Sequence, residues 1–204
     1  LLGPLSSVWR KADRLPRPLR WKFFLRNLSL SPEEAYFNDM SLFTPEDKTA
    51  LLSADFRRNL GGYTPFPAFR AHFDRVRDRD HLSRILYVDL KTYLPNDILV
   101  KMDRMAMANS LEVRSPLLDH RVIEFAAALP SDMKYRHGVS KYLLKRHAER
   151  HVPRSVIHRP KMGFSIPLAR WLRGELRATG EDLLLSDRAM GRGYFSPDEV
   201  RAMW

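Results

Sequence analysis

The sequence predicts a mainly α-helical fold, and three observations lead there. A helix-start pattern occurs three times, in Ser31-Pro32-Glu33-Glu34, Thr44-Pro45-Glu46-Asp47 and Ser196-Pro197-Asp198-Glu199. In each, a hydroxyl stands where it can accept a hydrogen bond from an unsatisfied backbone N–H, proline suits the first helical turn, and an acid three residues on answers back to the cap. No run of alternating β-branched residues marks a strand. The prolines fall at the ends of amphipathic stretches rather than in a linker, and no repeat divides the chain. One helical domain over residues 1–204 is therefore expected, with strand content marginal.

The elements follow in order. A helix from Pro45 is expected to run to about Asn59, where Gly61-Gly62 stops it. A second spans Pro67 to Asp78, with Phe66, Phe69, Phe73 and Val76 at helical spacing. A third covers Asp80 to Tyr93 and ends before Pro95. A fourth runs from Asn96 or Asp97 to Asn109. A fifth follows Pro116, carries Val122, Ile123, Phe125 and Ala126, and reaches Leu129-Pro130. Ser140 is expected to cap a sixth that ends before Pro153. Pro4, Pro16 and Pro18 cut the N-terminal segment into pieces.

Composition narrows the function classes. Of 204 residues, 44% are hydrophobic, and 11 Phe, 7 Tyr and 4 Trp exclude a disordered chain. No stretch approaches the roughly 20 apolar residues of a membrane-spanning helix. Arg10 and Lys11 follow the apolar start too soon for a secretory signal. The chain opens without Met and is expected to be a piece of something longer. With no cysteine there is no disulfide, thiolate metal site or cysteine nucleophile in these residues, which suits a cytoplasmic location. The net charge of +11 is uneven: residues 1–30 hold seven bases and one acid, and residues 136–180 hold eleven bases and two acids. Residues 31–135 hold fourteen bases and sixteen acids. Two basic blocks around a near-neutral middle suggest phosphate-bearing partners, against the plainer alternative of an arginine-rich composition.

Two stretches depart from ordinary amphipathic helix. From Pro95 to Asp119 charges are set among Met, Ala and Leu, in a run apolar enough to be buried. Asp97, Lys101 and Arg104 share one side of a helix at spacings of four and three, so an ion-pair ladder is the structural expectation for them. Glu112 and Arg114 sit past the helix end in a loop held extended before Pro116, where charges are well placed to meet a ligand. In the second stretch, His158 to Pro167, Lys161 lies between Pro160 and Gly163, with Phe164 and Ile166 as apolar anchors. A fixed ammonium there suits a phosphate or pyrophosphate, against the alternative of a solvated loop lysine. His147 and His151 stand four apart, but Glu149 is misplaced for a zinc-protease pattern and Arg146 and Arg150 would repel a cation, so no metal site is expected.

Together these stretches resemble the C-terminal half of the synthetase domain of glutamine-hydrolysing asparagine synthetases. The similarity rests on Asn96 to Lys101 with Asp103-Arg104, on Ser110-Leu111-Glu112-Val113-Arg114 followed by proline and Leu118-Asp119, on Lys141 to Leu144, and on Arg159 to Phe164. Order and spacing match over about residues 85–175. The resemblance implies the helical C-terminal lobe of an α/β ATP-pyrophosphatase-type (adenine nucleotide α-hydrolase-like) synthetase domain. It implies ATP and Mg2+, a small carboxylate substrate such as aspartate or an analogue, and glutamine-derived ammonia as nucleophile. It casts Lys161 as the lysine that neutralises the α-phosphate and departing pyrophosphate, and Glu112 as part of the base machinery toward the attacking amine. Arg104 and Arg114 would hold a substrate carboxylate or Glu112 itself, and Asp97, Asp103 and Asp119 are structural. The family's N-terminal cysteine, its Ser-Gly-Gly-x-Asp-Ser pyrophosphate loop and its acidic magnesium segment are not in this sequence, so these residues alone are expected to be inactive. Ala106 stands where many relatives have serine. Alternatives are a related adenylating ligase, such as a β-lactam synthetase or peptide cyclase, and a basic nucleic-acid-binding helical module.

Overall fold

A computed structural model of the chain describes residues 27–160 and 166–204. The described residues are mostly helical, with one two-stranded antiparallel hairpin. They gather into two compact units, residues 27–66 with 166–204, and residues 67–160, where the sequence reads as one helical domain.

In the first unit the cap pattern forms as written. Helix α1 (Pro32–Met40) and helix α2 (Pro45–Leu51) each open with a reciprocal capping box, Ser31 with Glu34 and Thr44 with Asp47. The helix expected from Pro45 to Asn59 is broken. Leu52 takes an extended conformation and bridges to Phe195, the Ser53 N–H donates to the Tyr194 carbonyl at 3.0 Å, and the Ser196 N–H donates to the Leu51 carbonyl at 2.8 Å. Ser53 then caps a new helix, α3 (Ala54–Asn59), and its hydroxyl donates to the Gly193 carbonyl at 2.6 Å. A tertiary partner more than a hundred residues away thus overrides local helix propensity. Gly61 and Gly62 end the run with φ of +56° and +79°, the left-handed turn that glycine permits.

The second unit begins with helix α4 (Phe66–Asp74, its first residue still in the first unit), four residues shorter than expected at its C-terminus, and helix α5 (His81–Lys91). Phe73 and Val88, on these two helices, are the fully buried apolar side chains among the described residues. Phe69 meets Phe73 edge-on at 5.6 Å, and the Arg84 guanidinium lies over the Phe73 ring at 5.4 Å. Asp80 caps α5 through the Ser83 N–H and accepts a 2.5 Å hydrogen bond from the Ser131 hydroxyl, tying α5 to helix α8 (Ser131–Lys134).

The fourth expected helix is really two pieces. A π-helical turn (Leu94–Leu99) leads directly into helix α6 (Val100–Ala108). Pro95 has no N–H to give and its ring crowds the preceding turn, so a regular α ladder cannot pass through it and the turn widens. After α6 come a 3₁₀ turn (Pro116–Leu118), helix α7 (His120–Ala128), helix α8, and strands β1 (Tyr135–Arg136) and β2 (Val139–Ser140). His137 and Gly138, with φ of +49° and +78°, make the tight hairpin turn. Ser140 belongs to β2 and does not cap helix α9 (Tyr142–Ala148), whose N-cap is Lys141 in the left-handed region. Helix α10 (Arg154–Ile157) completes the described part of this unit.

Back in the first unit lie helices α11 (Leu168–Arg173), α12 (Arg177–Leu185), α13 (Asp187–Met190) and α14 (Pro197–Met203). The third cap pattern is only half realised: Pro197 opens α14, but the Ser196 side chain makes no cap hydrogen bond. The Ser196 N–H is already engaged by the Leu51 carbonyl.

Asp80 offers a direct test of this architecture. The Ser131 hydroxyl, then the Ser83 side chain and N–H, hold its carboxyl below the ordinary carboxylate range. A depressed folded-state pKa contributes stability above about pH 4, and that contribution is lost as pH falls below the unfolded value. Asp80→Ala is expected to cost about 1 kcal/mol, the usual loss for an N-cap, and to flatten the pH dependence of the thermal midpoint below about pH 4. Thermal melts from pH 2 to pH 7 check both; an unchanged midpoint and slope would contradict the tie.

Candidate functional site

The loop that carries Glu112 and Arg114 is built by the end of α6. The Leu111 N–H reaches back to the Ala106 carbonyl and the Ser110 N–H to the Met107 carbonyl, each at 3.0 Å. This is a Schellman closure, with Ser110 in the left-handed position at φ +56° where glycine is usual. The Asn109 side chain donates to the Met105 carbonyl at 2.9 Å and satisfies a further orphan acceptor. The chain then runs to Pro116, and Asp119 caps α7 through the Arg121 N–H.

On this loop Arg114 grips Glu112. Its Nε and Nη2 lie 2.8 Å and 2.5 Å from the same carboxylate oxygen, Oε1. Among the described residues no hydrogen bond reaches Oε2. Both side chains are largely exposed, at 84% for Arg114 and 70% for Glu112. The sequence leaves Arg114 either a substrate carboxylate or Glu112 to hold, and here its guanidinium is paired with Glu112.

Burial of the 95–119 stretch is not found. Met102, Met105, Met107, Leu111, Val113 and Leu117 are all exposed, Met105 at 64%. The charges in this run therefore need no buried compensation. Asp97 and Lys101 do pair, at 2.5 Å, and the Asp97 carboxylate raises the Lys101 pKa. Arg104 does not extend the ladder: no ion pair reaches it among the described residues, and it is exposed on α6. Asp119 is structural as expected, and its hydrogen bonds from the Arg121 side chain and N–H hold its carboxyl low.

The sequence reading missed two features. Pro116, Asp119, Arg121, Val122 and Phe125 line a shallow groove of about 480 Å³ beside the Glu112 loop. Its signal was present in Val122 and Phe125, noted in the sequence only as apolar residues of the fifth helix; both are exposed. The other is Glu149, noted in the sequence only as misplaced for a zinc motif. Its carboxylate is shielded and faces Arg146 at 3.2 Å, Arg154 at 3.7 Å and His158 at 2.9 Å. The His158 hydrogen bond, then the two arginines, lower its pKa. The His147 and His151 rings lie 5.4 Å apart and tilted at 56°, and among the described residues no three His, Asp or Glu side chains come together to hold a metal ion. Lys161 lies outside the described residues. No helix among them is long and apolar enough to cross a membrane.

Ser110 carries the geometry that presents Glu112. A non-glycine residue in the left-handed region costs about 1–2 kcal/mol. Ser110→Gly is therefore expected to be neutral or stabilising, while Ser110→Val, with its branched β-carbon, loses about 1 kcal/mol or more. Thermal unfolding of both variants checks this; equal stabilities would show that the turn does not depend on a left-handed residue.

The chain matches the family model for asparagine synthase over residues 3–204. It is 33% identical over 178 residues to asparagine synthetase [glutamine-hydrolyzing] 1 of Bacillus subtilis, covering 85% of this chain and 27% of that protein. It is 31% identical over 150 residues to the asparagine synthetase [glutamine-hydrolyzing] of Gallus gallus, covering 69% of this chain and 25% of that protein. The chain thus spans about a quarter of the length of these relatives. No solved structure matches it. A match over nearly every residue leads to one conclusion: the chain belongs to the asparagine synthase family.

Proposed function

We propose that this chain is the helical portion of an ATP-dependent, amide-forming synthetase. In this reading a carboxylate oxygen of aspartate or an analogue attacks the α-phosphorus of ATP. The bond to the β-phosphate breaks, pyrophosphate leaves, and an acyl-adenylate forms. Ammonia released from glutamine then attacks the acyl carbon, a proton leaves the nitrogen, and AMP departs with the carboxylate oxygen. The parts that grip the ATP phosphates, bind magnesium and release ammonia are not among these residues, and no step here is assigned to the metal.

The observation that carries the reading is the Glu112–Arg114 pair, in a chain of this family. Arg114 occupies one carboxylate oxygen and leaves Oε2 open on an exposed loop. A carboxylate held that way stays an acceptor and can orient, or take a proton from, an incoming amine. Arg104, exposed and without an ion-pair partner among the described residues, is suited to a substrate carboxylate. Lys161 is assigned by sequence alone to the charge that grows on the α-phosphate and the departing pyrophosphate, where a compact, preorganised cation acts most strongly. A β-lactam synthetase or peptide cyclase would share the adenylation and differ in the nucleophile.

The test is Lys161→Ala in the complete synthetase. The kcat for pyrophosphate release at saturating ATP is expected to fall by roughly 10²–10³-fold, with KM changed much less, because the interaction strengthens in the transition state. Lys161→Arg should restore little, since a planar fork does not replace a point charge. An alanine variant within about threefold of wild type would return Lys161 to the surface. Steeply salt-dependent, micromolar binding to random duplex DNA would instead favour the nucleic-acid module.

A further inference from the structure

Glu149 closes α9, and its side chain is 15% exposed, while the side chains facing it are between 38% and 74% exposed. Both of its oxygens are engaged. His158 Nε2 meets Oε1 at 2.9 Å, and Arg146 and Arg154 approach Oε2 at 3.2 Å and 3.7 Å. Arg146 lies on α9 itself, but Arg154 is the first residue of α10 and His158 stands just past its last. One carboxylate therefore fastens both ends of α10 to the end of α9.

That fastening has little competition. Helix α10 is four residues long, too short to persist by its own hydrogen bonds, and none of its residues is buried. Its proline N-cap offers no side-chain hydrogen bond. Exposed ion pairs add little to global stability, so the consequence of the cluster is direction rather than stability. His158 leads into Arg159-Pro160, and Lys161 follows in the sequence.

We propose that Glu149 is a positioning residue, acting through His158 and Arg154 to set the course of the Arg159-Pro160 arm that leads to Lys161. Its catalytic consequence rests on the function proposed above; its mechanical content does not. A neutral imidazole with its proton on Nε2 and an imidazolium both donate to the carboxylate, so the tie does not require a charged histidine.

The experiment uses the complete synthetase carrying Glu149→Ala, His158→Ala or His158→Gln. Glutamine places an amide nitrogen near the imidazole Nε2 and can donate the same bond. The Val156, Ile157 and His158 amides donate to the Pro153 and Arg154 carbonyls, so their hydrogen exchange reports how firmly α10 is held. Both alanine variants should exchange there at least about tenfold faster than wild type, and His158→Gln should stay within about threefold. The kcat for pyrophosphate release should fall by about tenfold in the alanine variants, with the KM for ATP within about twofold and recovery in His158→Gln. Unchanged exchange overturns the proposal. So does fast exchange with unchanged kcat, which would make the cluster a purely structural tie. If Glu149→Ala does not fold, His158→Ala, which leaves Glu149 its two arginines, decides alone. Wild-type enzyme that releases no pyrophosphate with any carboxylate sinks the proposed function and the catalytic part of this proposal, while the exchange data still judge the fastening.

Discussion

Buried apolar surface is scarce in the described residues, and most of their architecture answers to that scarcity. Phe73 and Val88 are the apolar side chains fully removed from water among the described residues. Helices that bury so little are set in place by their ends. Ser31 and Thr44 close capping boxes, Ser53 restarts a helix where Leu52 leaves it, and Asp80 caps one helix while holding the first turn of another. Each tie is hydrogen-bonded and geometrically specific, which is what short helices with exposed apolar faces require.

The candidate site inherits this style of construction. Glu112 is presented by a Schellman closure that puts Ser110 in a left-handed conformation on one side, and the chain beyond it is held by the Asp119 cap on the other. Arg114 then fixes one oxygen of Glu112, and no hydrogen bond among the described residues reaches the other. Glu149 applies the same logic to α10, with a single carboxylate joining the two helix ends. At the Glu112 loop both partners are exposed, whereas at α10 a shielded carboxylate gathers exposed partners.

Much of this was legible in the sequence, for physical reasons. The capping boxes at Ser31 and Thr44, the glycine stop after α3 and the extended run before Pro116 all follow from backbone chemistry that acts within four residues. What the sequence hid depends on distant partners or on crowding. The break at Leu52 is made by Phe195 and Tyr194; Ser196 gives up its cap role while its N–H serves Leu51; the π-helical turn arises because Pro95 cannot continue the ladder. The His137-Gly138 hairpin was missed because two-residue strands leave no periodicity to read. Burial of the Met-rich run was expected from composition, and composition does not say what covers a face. Glu149 was passed over because two of its three partners, Arg154 and His158, lie on a later segment.

The account stands or falls on the carboxylate being activated at the α-phosphate of ATP. Oxygen transfer tests this directly in the complete synthetase, using aspartate labelled with 18O in its side-chain carboxylate, ATP and glutamine. Adenylation followed by attack of ammonia predicts that the AMP produced carries one 18O atom and that the pyrophosphate carries none. Label in inorganic phosphate, formed together with ADP, would mean activation through an acyl phosphate and would contradict the account.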